Sequence, residues 1–422
     1  MTIRSVVRLL LLASVTIAPA TLAGQTSPSW TQWGGSRRDF VSDSTGLASS
    51  WPASGPKKLW SRSLGEGHSS VLVENGRLYT MYRQVAQPAS AHQEVVAALD
   101  ATSGKTIWEF KYPAPTSGIQ FDQGLGPHST PLIAGNRVFA ASSRSELFAL
   151  DKTTGKRIWS HDFVKEYNAP LTGRGYSGSP LLYNGTIIVT MGGANQAVAA
   201  FDQASGKLLW RSGYFVWAPA SPILIDVDKQ PQLVVFGGDI VAGMDPATGR
   251  EQWRHPHKTD WGLNITTPVW VADQHLLLVS SAYGVGTRAL ELRQAGGKTT
   301  VTEKWHSQRM RVHIGTVIRL GEHAYGSSGD FGPAFISAID LKSGQIAWQD
   351  RSFARAQLLY ADGKMIVLDE DGMLGLATVS PKGLKVLAKA SVLQHLAWTP
   401  PTLVGTTLYV RDRQTLSAFD LS

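Results

Sequence analysis

The sequence predicts an all-β chain: an eight-bladed β-propeller of four-stranded antiparallel blades, its ring closed by pairing of the N- and C-terminal strands. Three observations carry that prediction. A phrase anchored on Asp, Gly and Trp recurs down the chain, two short strands precede each copy, and the Asp and Trp series fall out of phase by one. A recurrence of roughly 40–50 residues built from short strands is what sheets arranged around an axis produce.

The phrase is clearest at Ala98-Leu99-Asp100, Gly104-Lys105 and Trp108. It returns at Ala149-Leu150-Asp151, Gly155-Lys156 and Trp159, then at Ala200-Phe201-Asp202, Gly206-Lys207 and Trp210. Weaker copies stand at Asp245, Gly249 and Trp253 and at Asp340, Gly344 and Trp348. In all five, Asp stands four residues before Gly and eight before Trp. The apolar run before Asp reads as a strand, and Asp-x-x-Ser/Thr-Gly as its reversal. Asp accepts from amides two or three residues on, while Gly supplies positive φ. Trp begins the returning strand and has the apolar area to close a gap between blades. Turn cap and wedge account for these residues without catalysis.

Blades are counted on both anchors. Returning strands lie at Trp60, Trp108, Trp159, Trp210, Trp253, Trp305 and Trp348, with a degenerate eighth at Val386-Leu387-Ala388. The Asp side counts to eight at Asp100, Asp151, Asp202, Asp245, Glu291, Asp340, Thr378 and Asp420. The chain therefore opens on an orphan Leu59-Trp60 strand and closes on an orphan Ala418-Phe419-Asp420 strand. Pairing the two completes the last blade and removes two open sheet edges. Seven blades would result if the degenerate copy formed none of its own. The inner strands read as strand, tight turn, strand, as in Ser179-Pro180-Leu181-Leu182-Tyr183, Asn184-Gly185 and Thr186-Ile187-Ile188-Val189-Thr190. No helical period is evident after residue 24.

The ends and composition bound the rest. Arg4 and Arg8, the apolar run Leu9–Ala18 and the small residues up to Ala23 read as a secretory leader, with cleavage expected after Ala23. The expected division is a leader at 1–23, an arm at 24–57 and the propeller at 58–422. The run is short for a bilayer span, and no other stretch reads as a transmembrane helix. The formal net charge is +8, without a run of five basic residues, so no nucleic-acid partner is expected. With no cysteine, the sequence offers no disulfide, acylated cysteine, covalent haem or thiolate metal site. A monomer, periplasmic or secreted and without a lipid anchor, is expected.

The repeated Ala-x-Asp-x-x-Ser/Thr-Gly-Lys-x-x-Trp resembles the tryptophan-docking motif of the pyrroloquinoline-quinone (PQQ) propeller family. The arm Trp30-Thr31-Gln32-Trp33-Gly34-Gly35-Ser36-Arg37-Arg38-Asp39 resembles the lead-in of exported bacterial PQQ-like repeat proteins. The resemblance runs from Lys58 to Leu421 and extends to the propeller lipoprotein of outer-membrane β-barrel assembly. It implies a propeller fold and either partner binding or a quinoprotein dehydrogenase using PQQ with calcium. The vicinal cysteine pair of many such dehydrogenases is impossible here, and their Glu, Asn and Asp ligand set does not map onto this sequence.

Loops leading into each first strand open near the axis, where a binding surface belongs. Counting back from the first strands gives His68, His128, Tyr176, Trp217, Asn264, His313, Arg355 and Trp398 as the set expected at the funnel. Polar groups beside aromatic faces suit a planar, anionic or glycan-like ligand. The same residues would equally serve as bonds between blades that plug a wet channel. The three histidines come from different blades, so no metal-ligand spacing supports a metal site. Asp226-Val227-Asp228 and Asp369-Glu370-Asp371-Gly372 lack the order of a calcium loop and sit where hairpin turns belong.

No catalytic residue is assigned. The leading expectation is an exported, non-catalytic binding or scaffold propeller, with an unknown protein partner or a small planar ligand on one face. The alternatives are a PQQ-dependent alcohol or sugar dehydrogenase of reduced size, for which Asp122, Asp260 and Asp330 are the acids to inspect, and a carbohydrate-active enzyme needing two funnel carboxylates.

Overall fold

In the computed structural model, which describes residues 28–120, 124–330 and 332–422, the Asp of each phrase closes its turn as the sequence predicts. Asp100 Oδ1 accepts from the amides of Thr102 at 3.1 Å and Ser103 at 2.8 Å, and Gly104 completes the turn at φ +67°. Asp151 and Asp202 repeat the arrangement.

The indoles then join one blade to the next. Trp60 Nε1 donates to Ala101 O at 3.0 Å, Trp108 to Lys152 O at 3.1 Å, Trp159 to Gln203 O at 3.3 Å and Trp305 to Leu341 O at 2.7 Å. Each ring lies on the glycine of the following turn. A Cβ on Gly104 would stand 2.8 Å from Trp60, and one on Gly206 would stand 2.7 Å from Trp159.

Trp253 departs from this pattern. The following blade carries the long hairpin of strands Gly286–Ala295 and Lys298–Ser307 in place of the Asp-to-Gly turn, so no glycine platform awaits it. The ring folds back over its own blade against Gly243, and Nε1 donates to Gln232 Oε1 at 2.7 Å. Gly243 occupies the position that is Ala in the strong copies, which makes room for the indole.

Eight four-stranded antiparallel sheets result. The degenerate copy forms its own blade from residues 356–391, which removes the seven-blade alternative. Strand Lys57–Ser63 pairs with Thr415–Asp420, with Lys58 opposite Phe419 and Trp60 opposite Ala418, so the chain ends share the eighth blade. Middle strands such as Val95, Val96, Ala97 and Ala98 are fully buried between blades. One short helix, Phe163–Tyr167, departs from the expectation of no helical segment after residue 24; Asp162 caps it by accepting from Lys165 N at 3.0 Å.

Inside the ring, hydroxyls next to the first strands tie neighbouring blades together. Ser70 N donates to Thr130 Oγ1 at 2.9 Å, Thr130 N to Ser179 Oγ at 3.1 Å and Ser179 N to Ser221 Oγ at 3.0 Å. Leu358 N donates to Thr316 Oγ1, and Thr402 Oγ1 to Val71 O, both at 2.7 Å.

The arm crosses the axis where the first strands end. Trp30 exchanges backbone bonds with Val73, Thr31 O accepts from Ile133 N, Ser42 N donates to Tyr360 O, and Ala48 N donates to Leu421 O. The expected leader, 1–23, and its cleavage point lie outside the described residues.

Candidate functional site

The residues that precede the first strands surround an axial cavity of about 520 Å3, to which all eight blades contribute. Of the eight funnel residues expected from sequence, His68, His128, His313, Arg355 and Trp398 line it. The other three stand between blades. Tyr176 is buried with its ring 5.8 Å from Trp217, and a Cβ on Gly192 would meet Trp217 at 3.0 Å. Buried Asn264 donates to Gly237 O at 2.6 Å and to His257 O at 3.1 Å, a blade-joining clamp.

One wall is aromatic. His68 stacks between His128, at 5.4 Å and 12°, and Trp398, at 5.5 Å and 27°. His68 comes from blade one, His128 from blade two and Trp398 from blade eight, so ring closure is what assembles the ledge. Burial, helped by the nearby Arg83 and Arg413, holds His128 neutral with its pKa pushed down to about 4.

The facing wall is a chain of polar contacts. Arg355 Nη1 donates to His313 Nδ1 at 2.7 Å, and His313 Nε2 lies 2.7 Å from the Tyr283 hydroxyl. A guanidinium only donates, so Nδ1 must accept and Nε2 carries the proton toward Tyr283. Burial first, then the Arg355 charge, lowers the His313 pKa to about 4, in keeping with a neutral imidazole. Glu370 Oε2 accepts from Trp398 Nε1 at 2.8 Å and faces Arg355 Nε at 3.4 Å, which ties the chain to the aromatic wall. Asp330 Oδ2 accepts from Tyr283 N at 2.9 Å and lies 3.7 Å from Arg311 Nη1.

Several lining residues escaped the sequence reading. Arg174 lies in the long loop before the third blade and, among the described residues, has no hydrogen bond or ion pair. Trp261 lines the cavity while 63% exposed, and Tyr214 and Val216, on the loop before the fourth blade, are 68% and 55% exposed. Trp33 reaches the cavity from the arm. No repeat places these residues, so counting back from the first strands could not find them. Of the three acids, Asp330 lines the cavity, Asp260 is exposed and not part of the lining, and Asp122 lies outside the described residues.

With His128 and His313 held neutral by burial, the Arg, Lys, Asp and Glu residues of the lining are Arg174, Arg355 and Asp330. Indole and imidazole faces beside two guanidiniums suit a planar organic acid, including the flat, acidic frame of PQQ. A divalent cation fits poorly. Asp330 is the single acidic residue among the described lining, and among the described residues no three His, Cys, Asp or Glu side chains cluster as a metal site. Two carboxylates flanking a glycosidic bond are likewise not provided by that lining.

A family model described as outer membrane protein assembly factor BamB matches residues 92–350. The chain is 21% identical over 360 residues to outer membrane protein assembly factor BamB of Yersinia pestis, covering 85% of this chain and 77% of that protein. It is 33% identical over 142 residues to quinohemoprotein alcohol dehydrogenase ADH IIB of Pseudomonas putida, covering 31% of this chain and 18% of the dehydrogenase. The match thus spans less than a fifth of that enzyme. Among solved structures, BamB from Moraxella catarrhalis superposes with a TM-score of 0.58 at 17% identity, covering 87% of this chain and 100% of that one. Quinohemoprotein alcohol dehydrogenase from Comamonas testosteroni gives 0.63 at 13% identity, over 93% and 80%. At such identities the superpositions carry the fold alone.

Proposed function

Because the chain belongs to the propeller family described as outer membrane protein assembly factor BamB, we propose that it is an exported, non-catalytic binding propeller whose working site is the axial cavity. The occupant is a small planar ligand. The observation that carries this reading is the cavity itself: aromatic faces and two guanidiniums surround a space of about 520 Å3, a size suited to one small molecule. No set of nucleophile, base and activated group accompanies them among the described residues.

The periplasm or the exterior is the proposed location, supported by the leader-like N-terminus. Among the described residues no helix is long and apolar enough to cross a membrane. A protein partner would find Tyr214, Val216 and Trp261 exposed on the loops before the fourth and fifth blades.

The second reading is a PQQ-dependent dehydrogenase of reduced size, favoured by the stacked rings with arginine beside them. When bound, PQQ would supply the two-electron oxidation, and Arg174, Arg355 and the Trp398 face would hold it. The carboxylate set for its cation is the missing part, so no step is assigned to this chain.

One pair of measurements on the purified chain decides between them. Calorimetry with PQQ and calcium is run beside dye-linked alcohol oxidation. The binding reading expects no turnover, whether or not the quinone is bound. Alcohol-dependent dye reduction that saturates with PQQ would overturn it in favour of the dehydrogenase.

A further inference from the structure

The floor of the cavity does not come from the ring. Trp33, on the arm, lines it, with Nε1 donating to Thr267 Oγ1 of the fifth blade at 2.8 Å and the ring set edge-on to Phe40 at 5.3 Å. Gly34 lets the chain turn sharply there at φ +73°, since a Cβ would come within 2.8 Å of Arg38 Cα.

That turn brings a charge to the axis. Arg38 is 6% exposed and donates to Pro180 O at 3.1 Å, Gln32 Oε1 at 3.3 Å and Ser179 O at 3.5 Å. Among the described residues its Nε has no hydrogen-bond partner and no carboxylate pairs with it. Carbonyl dipoles offset a buried cation only in part, so an anion nearby would be favoured. Ser179, one of its acceptors, lines the cavity. Arg174 adds positive charge above, while Arg355 already faces Glu370 and Asp330 faces Arg311.

We propose that the arm is a wall of the ligand site: Trp33 gives the cavity its floor and Arg38 a positive field, so the site takes an organic anion and its occupancy is coupled to docking of the arm. This rests on the axial cavity being the binding site. Coupling is reciprocal, so whatever loosens the arm weakens the ligand, and a bound ligand holds the arm.

The test uses the full chain with anilinonaphthalene sulfonate as the anionic probe and phenylnaphthylamine as its neutral counterpart. The sulfonate should bind one site per chain, about tenfold or more tighter than the amine. Trp33→Ala should weaken both probes, with Trp33→Phe intermediate, whereas Arg38→Met should weaken the sulfonate and erase its advantage. The sulfonate should also slow proteolytic cleavage within the arm, a protection that a purely structural role for Trp33 would not confer. Circular dichroism checks that each variant is folded. Wild-type binding with unchanged affinity in Trp33→Ala and Arg38→Met, or arm cleavage that ignores the probe, overturns the inference and leaves the axial site standing. Absence of sulfonate binding to the wild-type chain overturns both.

Discussion

The indole of Trp108 lies on Gly155, so close that a Cβ there would stand 2.5 Å from the ring. The same turn supplies the Lys152 carbonyl that accepts the indole proton at 3.1 Å. One short segment is thus both platform and acceptor, and the glycine's φ of +73° leaves no room for another residue.

Gly155→Ala should therefore cost about 2 kcal/mol or more, from backbone strain and overpacking together. Trp108→Ala should cost about 3–5 kcal/mol. Urea unfolding of each variant measures both. Gly76→Ala is the comparison for φ alone, since it has positive φ with no atom near the added Cβ.

Gly243→Ala should cost about 1–3 kcal/mol for a different reason, since its methyl would strike Trp253 of the same blade. In a Trp253→Leu background the penalty should shrink. A double-mutant cycle with no coupling would contradict the packing described.

Stability should fall as pH drops from about 6.5 to about 4. Burial depresses His128 and His313 to about 4 and His257 to about 3, against an ordinary 6.5. The unfolded chain then binds more protons than the folded one in that window, so acid favours unfolding. Glu146 and Asp369, raised by burial, act in the opposite sense. The histidine share is read as the difference in Tm slope between wild type and His257→Asn, which should be the flatter of the two.

His313 itself reports the polar wall. Replacing Arg355 with Gln removes a cation 2.7 Å from Nδ1, so the imidazole should titrate upward from about 4 toward 6.5. Burial remains the larger cause and keeps it short of that limit. A histidine titration followed by NMR checks the direction; an unmoved value would mean the contact does not exist in solution.

The architecture was legible because the repeat encodes local chemistry. Asp100 needs only its own turn, and Trp108 needs only the next copy's glycine, so spacing alone located both. The orphan strands at Trp60 and Phe419 were legible for the same reason, each lacking half of a unit. Trp253 shows where spacing stops being enough: its position fits the phrase, but the platform it needs belongs to a neighbour that diverged. The Gly243 substitution for Ala was the available sign. His68, His128, His313, Arg355 and Trp398 reach the axial cavity because repeat geometry brings the approach to each first strand near the axis. Tyr176, Trp217 and Asn264 stand within one or two residues of lining positions (Ser177, Pro219, Leu263 and Ile265), and a count along the sequence does not tell which of two neighbours faces the axis. Trp33 and Arg38 lie outside the repeat, and only the path of the arm reveals them.

The axial cavity as the working site is tested most directly by filling it. Calorimetric titration with anilinonaphthalene sulfonate should give one saturable site in the wild-type chain and none in Ile314→Trp, whose indole would occupy the space beside His313. Equal binding by the two proteins would place the ligand elsewhere and contradict the site.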